Sequence, residues 1–386
     1  MIGARLRQAR LAAGLSLEAL ASKLERPLSK QAISKYESNK SQPSPQTLLD
    51  LSKVLGMKVS RLLSEPEVAV HWVGFRKCAG LLKSREEAIT ALATQKLEKE
   101  LYLRHLFHIA DHHDIPQLLV ATIDEAESAA EHVRRVWNIG SDPITGVVET
   151  LEDHGVVVLA WDESQGFDGV AGWANENSAV IAINSAVSSD RTRFNAAHEL
   201  GHLTMTCPEG VDEESLAHRF AASFLVPADA ARAELGEHRW TLSLPELGLL
   251  KERWGFSMQA WIRRAWDLRI IDANQYKLLN IDIRRRGWHK VEPVRYEGIE
   301  EPIMLRRLVS RALSEAVVSR SDASDLYPEY ESTREARLEA RTFTMRDLAK
   351  LDIEQRHRVL SESFLEVDPS ESEDWDEAEI EEYDSN

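Results

Sequence analysis

The sequence predicts a mainly α-helical chain that contains one α+β domain. Three observations predict it. Apolar residues recur at three and four along most of the chain, two short Val/Ile-rich runs stand near its middle, and the charge changes sign from one end to the other. A length of 386 residues suits two or three domains with sizeable cores. An apolar fraction of 43% beside 29% charged residues excludes a fibrous repeat and wholesale disorder. No run approaches the roughly eighteen apolar residues of a membrane span. The first ten residues lack the apolar stretch of a signal peptide, so a cytoplasmic location without a membrane partner is expected. Cys78 and Cys207 are too few for a disulfide framework or a four-thiolate zinc site and are expected as thiols.

Residues 1–64 are expected to form five short helices. Ile2 and Leu6, then Leu17, Leu20 and Leu24, then Leu48, Leu51 and Leu55 keep helical spacing, and Ser16, Ser29 and Ser44 stand where N-caps belong. Residues 1–63 hold 11 Lys/Arg against 4 Asp/Glu, whereas residues 361–386 hold 12 Asp/Glu and no Lys or Arg. This asymmetry marks the first segment as the polyanion binder of a chain whose net charge is −17. In a helix-turn-helix the second helix enters the major groove, and its first turn needs polar side chains that reach base edges. Ser29, Lys30, Gln31, Ser34 and Lys35 supply them, with Ala32 and Ile33 turned inward. Gln31 can pair with adenine, Lys30 or Lys35 with guanine or phosphate, and Ser16 can offer its hydroxyl and nearby backbone N–H groups to a phosphate. A small basic bundle with a solvated outer face offers the same residue types, so the pattern alone leaves both readings open.

The runs IGARLRQARLAAGLSLEALASKL and ISKYESNKSQPSPQTLLDLSKVLG resemble the phage-repressor (Cro/C1-type, or XRE) helix-turn-helix family. R-L-x-x-A-R at Arg5 to Arg10 and I-S-x-Y-E at Ile33 to Glu37 carry the resemblance, and ERPL before Ser29 alters the turn. The resemblance implies a double-stranded operator read as two half-sites by a homodimer.

Residues 65–142 continue as charged helical sequence and are expected as a helical connector, used for connection or dimer packing. From about 143 the period changes: GVVVLAW (155–161) and AVIAIN (179–184) read as strands, and helical sequence resumes at 191. Residues 294–360 are expected as a helical C-terminal region. Residues 361–386 are expected as a solvated, disordered acidic tail rather than a competitor of DNA for the basic segment.

The motif richest in chemistry is AAHELGHLTM. His198 and His202, at i and i+4, share one helix face and can point an imidazole nitrogen each at one Zn²⁺. Glu199, about 100° further round the helix, reaches a metal-bound water rather than the metal, the place of a general base in peptide hydrolysis. Two histidines on the wet face of an amphipathic helix, with Leu200 and Leu203 turned to the core, give the same letters. The Val/Ile run AVIAIN before the helix favours the metal site, because a peptidase needs a strand edge along which an extended substrate adds. A third ligand is required, and Glu213, Glu214 and His218 all lie within reach.

RFNAAHELGHL followed by E-x-x-A-x-R-F-A-A-x-x-L-x-P from Glu214 resembles the ImmA/IrrE metallopeptidase family. The resemblance extends over residues 143–293 and implies a zincin-like domain with a small sheet and Glu214 as third ligand. It also implies a protein substrate of the helix-turn-helix repressor class. Zn²⁺ suits two imidazoles and a carboxylate best, with Mn²⁺ or Fe²⁺ also compatible. His218 departs from the family, which commonly has Asn or Asp there. One turn on from Glu214, it is expected to orient that ligand; stabilising an oxyanion, competing for the metal and plain packing are its other readings. Cys207 is expected as a packed residue rather than a redox ligand, Trp254, Trp261, Trp266 and Trp288 as core, and Tyr276 as a transition-state donor without local support.

Two functions follow. The first is a DNA-binding regulator with zinc metalloendopeptidase activity that cleaves a repressor-type partner, or its own 65–142 segment, in a stress or phage and mobile-element response. The second is a non-proteolytic regulator or antitoxin whose peptidase-like domain senses a ligand or metal. Glu199 favours the first, because a sensor needs the ligands and not the base.

Overall fold

The computed structural model describes residues 2–64, 68–73, 83–109, 113–161, 168–175 and 177–327, all within one compact unit. Cys78, residues 328–360 of the expected C-terminal region and the acidic tail lie outside the described residues.

The first five helices are α1 (Ile2–Ala12), α2 (Leu17–Lys23), α3 (Lys30–Glu37), α4 (Pro45–Leu55) and α5 (Val59–Leu63). The hydroxyls of Ser16, Ser29 and Ser44 accept the N–H groups of Ala19, Ala32 and Thr47, as their positions in the sequence predict. Gly56 ends α4 in the left-handed region at φ 58°, which an L side chain adopts only with strain. Leu6, Leu20, Ile33, Leu51 and Leu62 are fully buried and form the centre of the bundle, each contributing about 2 kcal/mol by burial. The two ends of the family motif meet here. Arg10 Nε lies 2.6 Å from Glu37 Oε1, both side chains are about nine-tenths buried, and Arg10 also donates to the Leu15 carbonyl. Glu37→Gln is expected to cost the bundle about 2 kcal/mol, as one charge-assisted hydrogen bond is lost. Faster hydrogen exchange confined to residues 2–63 would show it.

The chain continues with β1 (Val70–Trp72), α6 (Lys83–Leu106), β2 (Leu118–Leu119), α7 (Ile123–Val136) and α8 (Val147–Asp153). Next come β3 (Val157–Trp161), β4 (Gly169–Ala174), β5 (Ser178–Asn184), α9 (Ser189–Thr204), β6 (Met205–Thr206) and α10 (Glu213–Leu225). The described chain closes with α11 (Ala228–Leu235), α12 (Leu244–Trp254), α13 (Met258–Asp267), α14 (Ala273–Arg285), α15 (Met304–Ser314) and α16 (Arg320–Leu326).

Four strands form a mixed sheet in the order β1-β4-β5-β3, with β3 parallel to β5 and the other pairs antiparallel; β2 and β6 pair separately. Alternation along the strands divides the sheet between two cores. Val158, Ala171, Ile181 and Ile183 belong to the large core shared with α7, α9 and α10, while Val157, Leu159, Val170 and Val180 belong to a smaller one under α6.

Two expectations are corrected. Residues 65–142 do more than connect: they contribute edge strand β1, helix α6, whose Ile89, Ala93 and Leu97 cover the second face of the sheet, and helix α7, packed on α10. The run AVIAIN is no edge. It lies in β5, paired on both sides and buried at every residue. A run apolar at both alternations fits a strand covered on two faces.

Helix α6 also carries the helical bundle. Arg5, 2% exposed, forms an ion pair with Glu98 of α6, and Arg61 of α5 approaches the same carboxylate at 3.7 Å. Lys58 pairs with Asp322 of α16 at 2.6 Å.

Helices α8 and α15 cap each other. Glu300 accepts the Val147 and Val148 N–H groups at the start of α8, and Glu152 at the end of α8 accepts the Ile303 and Met304 N–H groups at the start of α15. Burial is the largest influence on Glu152, and it pushes the carboxyl up to about 8 against the Ile303 N–H, with Glu100 adding to the rise. The folded state therefore holds a proton that the unfolded chain loses near pH 4.5. The resulting stability is complete below that value and is lost as pH rises through about 8. Between about pH 6 and pH 9 the Tm of wild type is expected to fall further than that of Glu152→Gln.

Candidate metal centre

Helix α9 presents His198 and His202 one turn apart, with their Nε2 atoms 3.1 Å from each other. Glu214, in the first turn of α10, places Oε2 3.3 Å from His198 Nε2 and Oε1 3.5 Å from His202 Nε2. Ligands about 2.0–2.1 Å from a tetrahedral zinc stand about 3.3 Å apart, and the three observed separations bracket that value. The donors fit a divalent cation. His202 is the most enclosed, with 7% of its side chain exposed, and Glu214 the most open at 46%.

Glycine permits this convergence at two points. A Cβ on Gly201, inside the HELGH run, would lie 3.1 Å from the Phe220 ring, so its absence lets α10 come close enough to deliver Glu214. A Cβ on Gly169 would lie 2.9 Å from Glu199 Oε1, so β4 passes directly against that carboxylate. Glu199 is 6% exposed. Burial first, then the charge of Glu214, push its carboxyl up to about 8, with the Ala171 N–H opposing and Asp168 adding to the rise. A dication held by the neighbouring donors would favour the charged form instead.

Residues 6–62 match the helix-turn-helix family model, and residues 151–265 match that of the IrrE N-terminal-like domain. The chain fuses these two domains. No curated protein matches the chain. Among the described residues no helix is long and apolar enough to cross a membrane.

In the IrrE N-terminal-like domain the donors open into a cleft of about 1140 Å³. Phe194 and Phe256 line one part of it, Asp168 and Gly169 of the β4 approach another, and residues 288–292 with Val294 and Arg295 form a lip. Neither the β4 approach nor the lip was foreseen from the sequence. His218 lines the cleft with its ring 4.6 Å from that of His198 and 5.7 Å from that of Phe194, and it is not among the three converging donors. Burial, then proximity to His198, lower its pKa and favour the neutral ring.

Trp254 and Trp261 are core residues as expected, and Trp266 packs on the core while partly exposed. Trp288 touches the core but also lines the cleft. Tyr276 stacks on Trp266 at 4.7 Å and does not line the cleft, which removes it as a donor. Cys207 is half-buried against the main core and likewise does not line the cleft.

In the helix-turn-helix domain Ser16, Ser29, Lys30, Gln31, Ser34 and Lys35 are all exposed, while Ile33 is fully buried and Ala32 partly so. The first turn of α3 therefore offers a continuous polar surface.

Proposed function

We propose that this chain is a DNA-binding metalloendopeptidase that cleaves a helix-turn-helix repressor or a similar regulator, and thereby controls transcription. The convergence of His198, His202 and Glu214 beside a buried Glu199 carries this reading. The three donors would hold a divalent cation, Zn²⁺ by preference, which supplies Lewis acidity to the scissile carbonyl and lowers the pKa of water. Glu199 takes the proton of the attacking water on its carboxylate and returns it to the amide nitrogen as the C–N bond breaks. His218, against the His198 ring and one turn on from Glu214, holds those two ligands in place. Phe194 and Phe256 keep bulk water from the reacting bond.

The test compares wild type with Glu199→Gln for metal content and for cleavage of a co-expressed repressor. Equal metal with cleavage only by wild type supports the base, and equal cleavage by both rejects it.

A second reading, regulation without proteolysis, is favoured by the packing of the helix-turn-helix domain on α6, which also covers the sheet of the other domain. Such a regulator binds metal and cleaves nothing.

On the DNA side, Ser29, Lys30, Gln31, Ser34 and Lys35 enter the major groove and Ser16 meets a phosphate, with a homodimer spanning two half-sites. Gln31→Ala is expected to weaken operator binding by about 1–3 kcal/mol and to spare nonspecific DNA. Lys35→Ala is expected to lower the salt slope by about one. Anisotropy titrations across salt concentrations separate the two.

A further inference from the structure

The cleft contains five carboxylates, and most are internally compensated. Asp168 is paired with Arg191 at 2.7 Å, and Asp190 and Glu292 each lie 2.9 Å from Lys251 Nζ. Glu214 belongs to the metal donors, and Glu199 stands beside them. The cations of the lip are different. Lys290 has no ion pair among the described residues, and Arg295 approaches only Glu297, at 3.9 Å with both side chains more than 80% exposed. His289 lines the cleft next to Lys290. Five carboxylates outnumber the four Lys and Arg residues that line the cleft, yet on the lip Lys290 and Arg295 face a single carboxylate, Glu292, which is already bonded to Lys251.

The lip is fixed in place. The Glu292 side chain is 7% exposed, accepts the Met258 and Gln259 N–H groups at the start of α13, and takes a third bond from Lys251. Lys290 and Arg295 flank this anchor on either side, with Val291 between them 77% exposed. With the backbone anchored, only the side-chain rotamers of these cations remain to be ordered when they engage a ligand.

Resting on the peptidase reading, we infer that Lys290 and Arg295 select substrates: the cleft takes an extended peptide with Asp or Glu side chains on one side of the scissile bond. A nucleic acid is the poorer fit, because it carries a charge at every backbone unit and would lay phosphates along the cleft carboxylates, whereas a peptide can confine its acidic side chains to the lip.

The test uses the full chain and a fluorescent peptide carrying several Glu residues, beside the same peptide with Gln or Lys in their place. Two exposed ion pairs give an expected preference of about fivefold for Glu over Gln, diminishing with added salt. Lys290→Glu/Arg295→Glu is expected to invert the order in favour of Lys, and Glu199→Gln to retain the wild-type order. Equal binding of the Glu and Gln peptides by wild type, or an order unaltered in the double variant, overturns the inference. Displacement of the Glu peptide by short duplex DNA from wild type but not from the double variant overturns it in favour of nucleic acid. The two proposals fail separately. Charge-selective binding without cleavage of any peptide leaves the lip standing and removes the peptidase, whereas cleavage indifferent to charge does the reverse.

Discussion

His202→Ala is expected to purify without metal and to lose nearly all of the rise in Tm on adding Zn²⁺. His202 is one of three protein donors and the most enclosed of them. Removing a partner that only orients a ligand already costs about 10- to 100-fold in metal affinity, so losing a donor costs more than about 100-fold. At zinc concentrations about 100 times its Kd, wild type gains about 2.7 kcal/mol by mass action, and the variant gains at most about 0.4 kcal/mol over the same range. Leu200 and Leu203 keep α9 buried in its place, so the variant folds and the loss is one of binding. Glu199→Gln retains the rise, because Glu199 is not a donor. An unchanged rise in His202→Ala would place the ion elsewhere.

Arg193→Leu is expected to cost about 3–5 kcal/mol of stability, the range for breaking a buried ion pair by removing one partner. Arg193 and Glu300 are each 1% exposed, with Nη1 2.5 Å from Oε1, and the same guanidinium donates to the Ile144 and Thr145 carbonyls and to the Tyr296 hydroxyl. It stands at the root of the helix that carries the histidines. Burial already pushes the Glu300 carboxyl up in spite of Arg193, and removing the guanidinium raises it further. Arg193→Lys recovers only part of the loss, since one ammonium cannot reach acceptors spread over so many segments. Urea unfolding measures the cost. In a double-mutant cycle with Glu300→Gln the two losses are expected to sum to more than the loss of the double variant.

What the sequence reveals and what it hides divide along physical lines. The serine caps and the imidazole pair at i and i+4 are local patterns, and each is where its spacing puts it, whereas spacing left Glu213, Glu214 and His218 open on the following helix and only the family resemblance pointed to Glu214. Strand β4, GVAGWA, is invisible because its glycines and alanines carry little β propensity, yet those small residues are what lets it run beside Glu199. Helix α6 shows no clean apolar stripe because it is covered by α1, α15 and the sheet at once. The mutual capping of α8 and α15 joins residues about 150 positions apart, and no local pattern announces it. The lip at 288–295 is irregular chain held by one anchored carboxylate, so it has no period to detect.

Arg5 and Glu98 meet out of water, so the five N-terminal helices are bolted to the body and do not swing on a tether. On the proposed reading, a molecule seated on an operator would then hold its cleft at one compass bearing around the double helix. Targets delivered from neighbouring sites on the same DNA would be met in phase or out of phase, and inserting about five base pairs, half a helical turn, would carry them to the opposite side.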